Sequence, residues 1–221
     1  MHRKIIVTED NSKTLLIPEL NETYHSTKGA LTEALHIFIK EGIIHSNKNK
    51  LNIFEMGMGT GLNALLTVDH SMRNGIEVNY KAIEKYPLEI NEVNQLEYLK
   101  GCKLDSLNEE FELIHNSPFK ENITINDNFY LFKINDDVTN LELDENSIDI
   151  IFFDAFGPKV QGKLWGEEIM SKMYSILKPG GFLVTYCAQG AFKRTLKVLK
   201  FEIENIPGPP GKREMTRAFK K

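Results

Sequence analysis

The sequence predicts an α/β protein: a mostly parallel sheet with helices on both faces, preceded by a small hairpin-and-helix extension. Three observations predict it. From residue 51 onward strand-like and helix-like segments alternate, the pattern of parallel βαβ construction. Residues 148–154 (IDIIFFD) are almost continuously apolar, as a central strand covered on both faces must be. A glycine-rich stretch joins the first strand of this series to a helix.

Residues 4–7 (KIIV) and 14–18 (TLLIP) read as two short strands joined through Glu9, Asp10, Asn11 and Ser12. A helix follows, because Leu31, Ala34, Leu35, Phe38 and Ile39 recur at helical spacing. Ser26 or Thr27 is expected to cap its start and Gly42 to lie near its end. The polar run 46–50 is a surface linker, dividing an extension (1–50) from a core (51–221).

In the core, residues 51–56 form the first strand, and Leu62, Leu65, Leu66 and Val68 mark the helix after it. Residues 78–84 form the second strand, and Pro87, suited to a first helical turn, introduces a helix over 88–99. An amphipathic helix over 105–116 precedes a hairpin through Asp127 and Asn128, whose second arm (FYLFKI) is the third strand of the series. After the fourth strand, a helix over 167–177 stops at Lys178, Pro179, Gly180 and Gly181. Strands at 181–187, 201–206 and 213–220 and a helix at 190–199 complete the chain.

The 221 residues suit one domain able to bury a core without metal or disulfide. With 41% apolar and 26% charged residues, the composition excludes a disordered chain or a coiled coil. A net charge of -4 gives no support for bulk nucleic-acid binding, although a local basic patch is invisible in that sum. Cys102 and Cys187 lack CxxC spacing and are expected as reduced thiols. The six histidines form no HxH or HExxH pattern, so no metal is expected. No apolar run reaches membrane-spanning length and the N-terminus lacks the form of a signal peptide, so a cytoplasmic monomer is expected.

The strongest local signal is the run Glu55-Met56-Gly57-Met58-Gly59-Thr60-Gly61-Leu62-Asn63 between strand and helix. Glycines there allow backbone angles closed to other residues and let a ligand approach the main chain. No Gly-Lys-Ser/Thr follows, which argues against a nucleoside triphosphate. Glu55 would repel a dinucleotide's pyrophosphate but suits the ammonium of a methionine moiety, which favours S-adenosylmethionine over NAD. Glu84 ends the second strand, where an acid reaches the two hydroxyls of a ribose. Asp136 follows the third, placed to accept from an adenine amine. For these two acids the alternative is a solvated strand end.

Asp154 ends the fourth strand, facing the crevice where both cofactor and acceptor are expected. Methyl transfer from a sulfonium chiefly requires an aligned nucleophile, so Asp154 is assigned to orienting an acceptor amine, with base action as a second role. Phe156 offers a flat face to a planar substrate, or else packs in the core; Trp165 is expected to pack. Lys159, Lys163, Lys193, Arg194, Lys197, Lys212, Arg213 and Arg217 would form a phosphate-tracking surface if they converge, against a solvated face and tail otherwise. The bend Gly208-Pro209-Pro210-Gly211 would present Lys212 and Arg213 to the substrate.

Taken together, Tyr24-His25-Ser26 with Gly29, Ala30 and Glu33, the loop EMGMGTGLN, IEKYPL at 83–88, FFDAFGP at 152–158 with Leu164 and Trp165, and GKREM at 211–215 resemble the methyltransferase component of the enzymes that make 5-methylaminomethyl-2-thiouridine in tRNA. The resemblance spans nearly the whole chain and implies a Rossmann-like class I methyltransferase. The implied reaction moves a methyl group from S-adenosylmethionine to the primary amine of 5-aminomethyl-2-thiouridine at the wobble position, with a tRNA anticodon stem-loop as partner. The expected cofactor set is Glu55, Gly57, Gly59, Thr60, Asn63, Glu84, Lys85, Asp136 and Asp154. Tyr24, His25, Phe156, Lys212 and Arg213 form the expected substrate set, with His25 closing the site or serving structure alone.

Two departures stand out. Relatives often carry a flavin-dependent oxidoreductase for which 221 residues leave no room, so a stand-alone form is expected that carries no flavin and works beside a separate oxidoreductase. Asn135 also stands where the family usually has glycine before the acid, and asparagine is expected to tolerate the turn. The rival readings are a methyltransferase of the same fold acting on a small amine, a cofactor-binding scaffold whose pocket beside Asp154 is closed, and, more remotely, a dehydrogenase.

Overall fold

The computed structural model describes residues 2–221. Strands β1 (Lys4–Val7), β2 (Lys13–Ile17) and β3 (Glu22–Thr23) form a small antiparallel sheet. Helix α1 (Ala30–Ala34) continues without a break as a wider π-type helix over Leu35–Ile44. One expectation is corrected here. The cap is neither Ser26 nor Thr27: Ser12 Oγ accepts from the Ala30 and Leu31 N–H groups at 3.1 and 3.2 Å, and Asp10 Oδ2 accepts from the Thr32 N–H at 2.9 Å. The β1–β2 turn therefore satisfies the free donors of the first helical turn. Gly42 lies near the helix's end, as expected, two residues before Ile44. A Cβ there would stand 3.0 Å from the Phe152 ring, so glycine also lets the helix lie close on the sheet.

Burial works against the Asp10 carboxylate, but hydrogen bonds from Ser12, Thr8 and Thr32 outweigh it and hold its pKa well below the usual range. Asp10→Ala is expected to cost about 1–2 kcal/mol, read from urea midpoints at neutral pH. Because the folded pKa is depressed, the difference from wild type is full above the ordinary carboxylate pKa of about 4 and shrinks as pH falls through the lower folded value.

The main sheet has eight strands: β4 (Lys50–Met56), β5 (Glu77–Ile83), β6 (Asn122–Asn126), β7 (Phe129–Ile134), β8 (Ile148–Phe153), β9 (Leu177–Thr185), β10 (Glu202–Pro207) and β11 (Glu214–Phe219). Their order is β10-β11-β9-β8-β4-β5-β7-β6. The five central strands, β9 to β7 in that order, pair in parallel, and an antiparallel hairpin closes each edge. The expected Rossmann-like mixed sheet is thus present.

Helices α2 (Leu62–Asn74), α3 (Ile90–Asn94), α4 (Tyr98–Gly101), α5 (Asn108–Asn116), α6 (Glu167–Ile176) and α7 (Gly190–Val198) complete the fold. The helix expected over 88–99 is broken in two, because Glu97 turns left-handed at φ 53°, and Pro87 lies ahead of a start capped reciprocally by Glu89 and Glu92. Strand β9 begins at Leu177, directly after α6 and earlier than expected.

Side chains alternate across the sheet with a period of two. Ile53, Ile150 and Phe152 join the core beneath α1, α2 and α5, while Phe54, Ile151 and Phe153 join the core beneath α6 and α7. Lys133 interrupts the apolar run of β7 for a local reason: its Nζ donates to the Ile114 and His115 carbonyls at 2.8 and 2.9 Å, closing the C-terminus of α5. Burial pulls its pKa down to about 8. Among the described residues no helix is long and apolar enough to cross a membrane.

From β4 the chain builds β5 on one side and later β8 on the other. The strand order reverses there, and a crevice opens at the carboxyl ends of β4 and β8.

Candidate active site

A cavity of about 550 Å³ occupies that crevice. Its floor is made by the turns after β4, β5, β7 and β8, and Arg3, Ile17, Leu20, Tyr24 and His25 of the N-terminal sheet form its roof. Of the residues expected to bind cofactor, Gly57, Gly59, Thr60, Asn63, Glu84, Lys85, Asp136 and Asp154 all line it.

The glycine loop is drawn tight by its neighbours. Gly57 has φ 87°, and a Cβ on it would stand 3.1 Å from the Asp154 carbonyl oxygen, so only glycine lets the ends of β4 and β8 approach this closely. Gly61, at φ 72°, begins α2 against the His115 ring, which a Cβ would meet at 2.6 Å. Glu84 fastens the loop from the next strand. Its Oε2 accepts from the Gly59 N–H at 3.0 Å and its Oε1 from the Tyr86 N–H at 2.8 Å. Thr60 is held by the Tyr98 hydroxyl, which donates to it at 3.1 Å.

Glu55 is placed differently from expectation. It is fully buried and does not line the cavity, because Asn63 stands in front of it. Asn63 Nδ2 donates to Glu55 Oε1 at 2.9 Å and to Asp154 Oδ2 at 3.0 Å, tying the two acids together. Burial pushes Glu55 up to about 8, against the Asn63 hydrogen bond and with the help of the nearby Asp154 charge. Asp154 rises to about 7, again through burial and then the Glu33 charge, while Asn63 and Lys212 oppose. Glu55 Oε2 and Asn63 Oδ1 are buried without a hydrogen-bond partner. Asn63 Oδ1, an unsatisfied acceptor on the cavity wall beside the Asp154 carboxyl, suits this end of the cavity to a cation.

At the third strand end, Asp136 Oδ1 accepts from the Asp137 N–H at 2.7 Å and from Asn140 at 2.9 Å, so its carboxylate is fixed at the rim and its pKa lowered. Lys85 lines the cavity while pairing with Asp137 at 2.7 Å. Asn135 keeps an ordinary negative φ, contrary to the expected unusual turn, and its amide instead donates to the Glu84 carbonyl at 2.9 Å.

Of the residues expected to meet substrate, Tyr24 and Phe156 face one another edge to face at 5.2 Å across the cavity wall. His25 lines the roof but is nearly buried, with Nδ1 2.9 Å from Thr14 Oγ1, and burial drops its pKa to about 4. It is therefore neutral at physiological pH. Trp165 is buried, packs on Phe153 and Phe192, and donates to the Phe156 carbonyl at 2.8 Å.

Lys212 and Arg213 do not line the cavity. Arg213 is exposed, whereas Lys212 Nζ turns inward to Glu33 Oε1 at 2.6 Å. The basic surface is also smaller than expected: Arg217 is buried, donating to Glu204 at 2.9 Å and to the Glu41 carbonyl at 2.9 Å. It sits mid-strand in β11, where alternation turns it inward under the π-type helix.

Glu33 had no assigned role in the sequence, and its signal was an acid on the apolar stripe of Ala30, Ala34 and Ile37. Arg3 was missed as well. Its Nη1 donates to both Glu92 oxygens at 3.1 and 3.0 Å and fastens the roof to α3.

Comparison with known proteins supplies the family. A family model described as S-adenosyl-L-methionine-dependent methyltransferase matches residues 104–221. The tRNA 5-methylaminomethyl-2-thiouridine biosynthesis bifunctional protein MnmC of Leptospira interrogans is 26% identical over 222 residues, covering 95% of this chain and 34% of its own length. The protein of the same name from Cupriavidus necator is 27% identical over 215 residues, covering 91% of this chain and 32% of its own. The chain thus spans about a third of the length of these curated relatives. Among solved structures, MnmC2 from Aquifex aeolicus superposes with a TM-score of 0.75 at 22% identity, over 100% of this chain and 70% of that one. A TehB-like S-adenosylmethionine-dependent methyltransferase from Corynebacterium glutamicum gives 0.50 at 12% identity, over 86% and 87%. The chain belongs to the S-adenosyl-L-methionine-dependent methyltransferases, with S-adenosylmethionine as its cofactor.

Proposed function

We propose that this chain methylates the primary amine of 5-aminomethyl-(2-thio)uridine at the wobble position of tRNA, giving the 5-methylaminomethyl nucleoside. The carrying observation is Asp154, a carboxyl poised near neutrality on the cavity wall beside the edge-to-face pair of Tyr24 and Phe156. The relatedness to proteins named for this nucleoside supports the choice of acceptor.

The residues present fit the cofactor, which supplies an electrophilic methyl group on a sulfonium. Asn63 Oδ1, which has no hydrogen-bond partner within the protein, offers an acceptor to the methionine ammonium, and Glu55 backs it through the Asn63 amide. Glu84 takes the ribose hydroxyls with the lone pairs its two backbone bonds leave free. Asp136 accepts from the adenine amine at the rim. Gly57, Gly59 and Thr60 give the cofactor a close backbone wall, and Lys85 keeps Asp137 at the mouth.

Tyr24 and Phe156 flank a flipped-out base, and the neutral His25 closes the roof. The acceptor nitrogen reacts through its free lone pair. Asp154 orients it and takes the proton that the nitrogen sheds once the new carbon–nitrogen bond has formed. Arg213, with Lys159, Lys163, Arg194 and Lys197, offers exposed cations for the anticodon phosphates. The extension over 1–50 acts as the roof of a core over 51–221.

The test is mass-spectrometric nucleoside analysis of aminomethyluridine-containing tRNA incubated with the protein. The 5-methylaminomethyl nucleoside is expected only when S-adenosylmethionine is added. Cofactor binding with no methylated tRNA nucleoside would move the small-amine reading to first place, a reading that the acid-rich cavity wall also suits. A scaffold requires a closed pocket beside Asp154, and the pocket there is open.

A further inference from the structure

Behind Asp154 lies a second group of charges, outside the cavity, brought together from three distant segments. Glu33 comes from the first turn of α1 and is 8% exposed. Its Oε2 accepts from the Ser26 N–H at 2.7 Å and its Oε1 from Lys212 Nζ at 2.6 Å. Lys212 comes from the bend between β10 and β11, held by its own N–H donating to the Pro209 carbonyl at 2.9 Å. Its ammonium lies 4.0 Å from the centre of the Tyr186 ring, and the Tyr186 hydroxyl donates to the Ala155 carbonyl at 2.8 Å, one residue from Asp154.

Glu33 is buried and Lys212 half-buried, so the carboxylate gives up most of its water to make this pair. We propose that Glu33 and Lys212 are a positioning pair that sets the charge of Asp154, and through it the pH range in which Asp154 accepts the acceptor amine. Glu33 opposes ionisation of Asp154 and Lys212 favours it, with Glu33 the stronger of the two, so losing either one moves Asp154 in a definite direction. The remaining ionisable groups interacting with Asp154 are Glu55 on β4, Tyr80 on β5 and Tyr186 after β9. Burial pushes all three upward in pKa, so they stay mostly neutral near pH 7, and the adjustable charge rests with the pair. Lys212 thus works from behind Asp154 and does not touch substrate. The inference rests on the reading of Asp154 as the group beside the amine.

The test reads Asp154 directly, without any acceptor. Carbon-13 carboxyl NMR of the full chain, with the resonance assigned by its loss in Asp154→Asn, gives the Asp154 titration midpoint. Lys212→Met is expected to raise that midpoint and Glu33→Gln to lower it, each by about one pH unit. The double variant should fall between the two single variants and Lys212→Arg near wild type, which also guards against a single variant that folds poorly. The acid limb of the pH–rate profile should move with the midpoint. Unmoved midpoints, or single variants that shift the same way, overturn the inference. Opposite shifts in a chain that methylates no tRNA nucleoside uphold the pair and remove only the tRNA reading.

Discussion

Asp154→Asn is expected to lower the single-turnover methylation rate by about 100- to 1,000-fold while leaving S-adenosylmethionine affinity within a few-fold of wild type. The asparagine carbonyl still accepts from Asn63, which preserves the local hydrogen bond, but it takes no proton from an amine. Wild-type activity should fall as pH drops through about 7, where Asp154 becomes protonated; the variant should keep only the dependence that the acceptor amine brings. Stability should move the other way. A carboxyl whose folded pKa is raised costs stability increasingly as pH climbs from its unfolded value of about 4 to the folded value, so the variant should melt higher at neutral pH. A variant that keeps its rate would remove Asp154 from the chemistry.

The second large effect is expected at Glu84. Both of its oxygens accept from backbone N–H groups, of Gly59 and Tyr86. Glu84→Gln presents an amide donor to one of those N–H groups and so cannot hold both. With the ribose contact weakened too, S-adenosylmethionine affinity by calorimetry should drop about 100-fold, roughly the 2–3 kcal/mol of a hydrogen bond to a charged group. Unchanged affinity would mean that the ribose is held elsewhere.

The sheet was legible because its signals are local. Residues 148–153 are all buried, as their apolar run demanded, and the glycine loop sits where a strand gives way to a helix. The acids at strand ends were readable for the same reason: in a parallel sheet a position at the carboxyl end of a strand is already a position at the crevice. What escaped were relations across long sequence separations. The α1 cap comes from a turn some 20 residues earlier, Lys212 is drawn inward by Glu33, and Arg217 is claimed by Glu204 and Glu41. Charged residues near a predicted loop look alike whether they meet solvent or a buried partner. Asn63, the bridge between two acids, looked like one more member of a loop, because its role depends on the distance between β4 and β8.

The seating of α1 on the β1–β2 turn makes the opening hairpin part of the reaction centre by mechanical descent. Asp10 and Ser12 fix the first turn of the helix that carries Glu33, and the Glu33 charge in turn raises the pKa of Asp154. Trimming or stiffening this outlying ribbon should therefore be felt as a change in the acidity of a carboxyl at the far end of that chain of contacts.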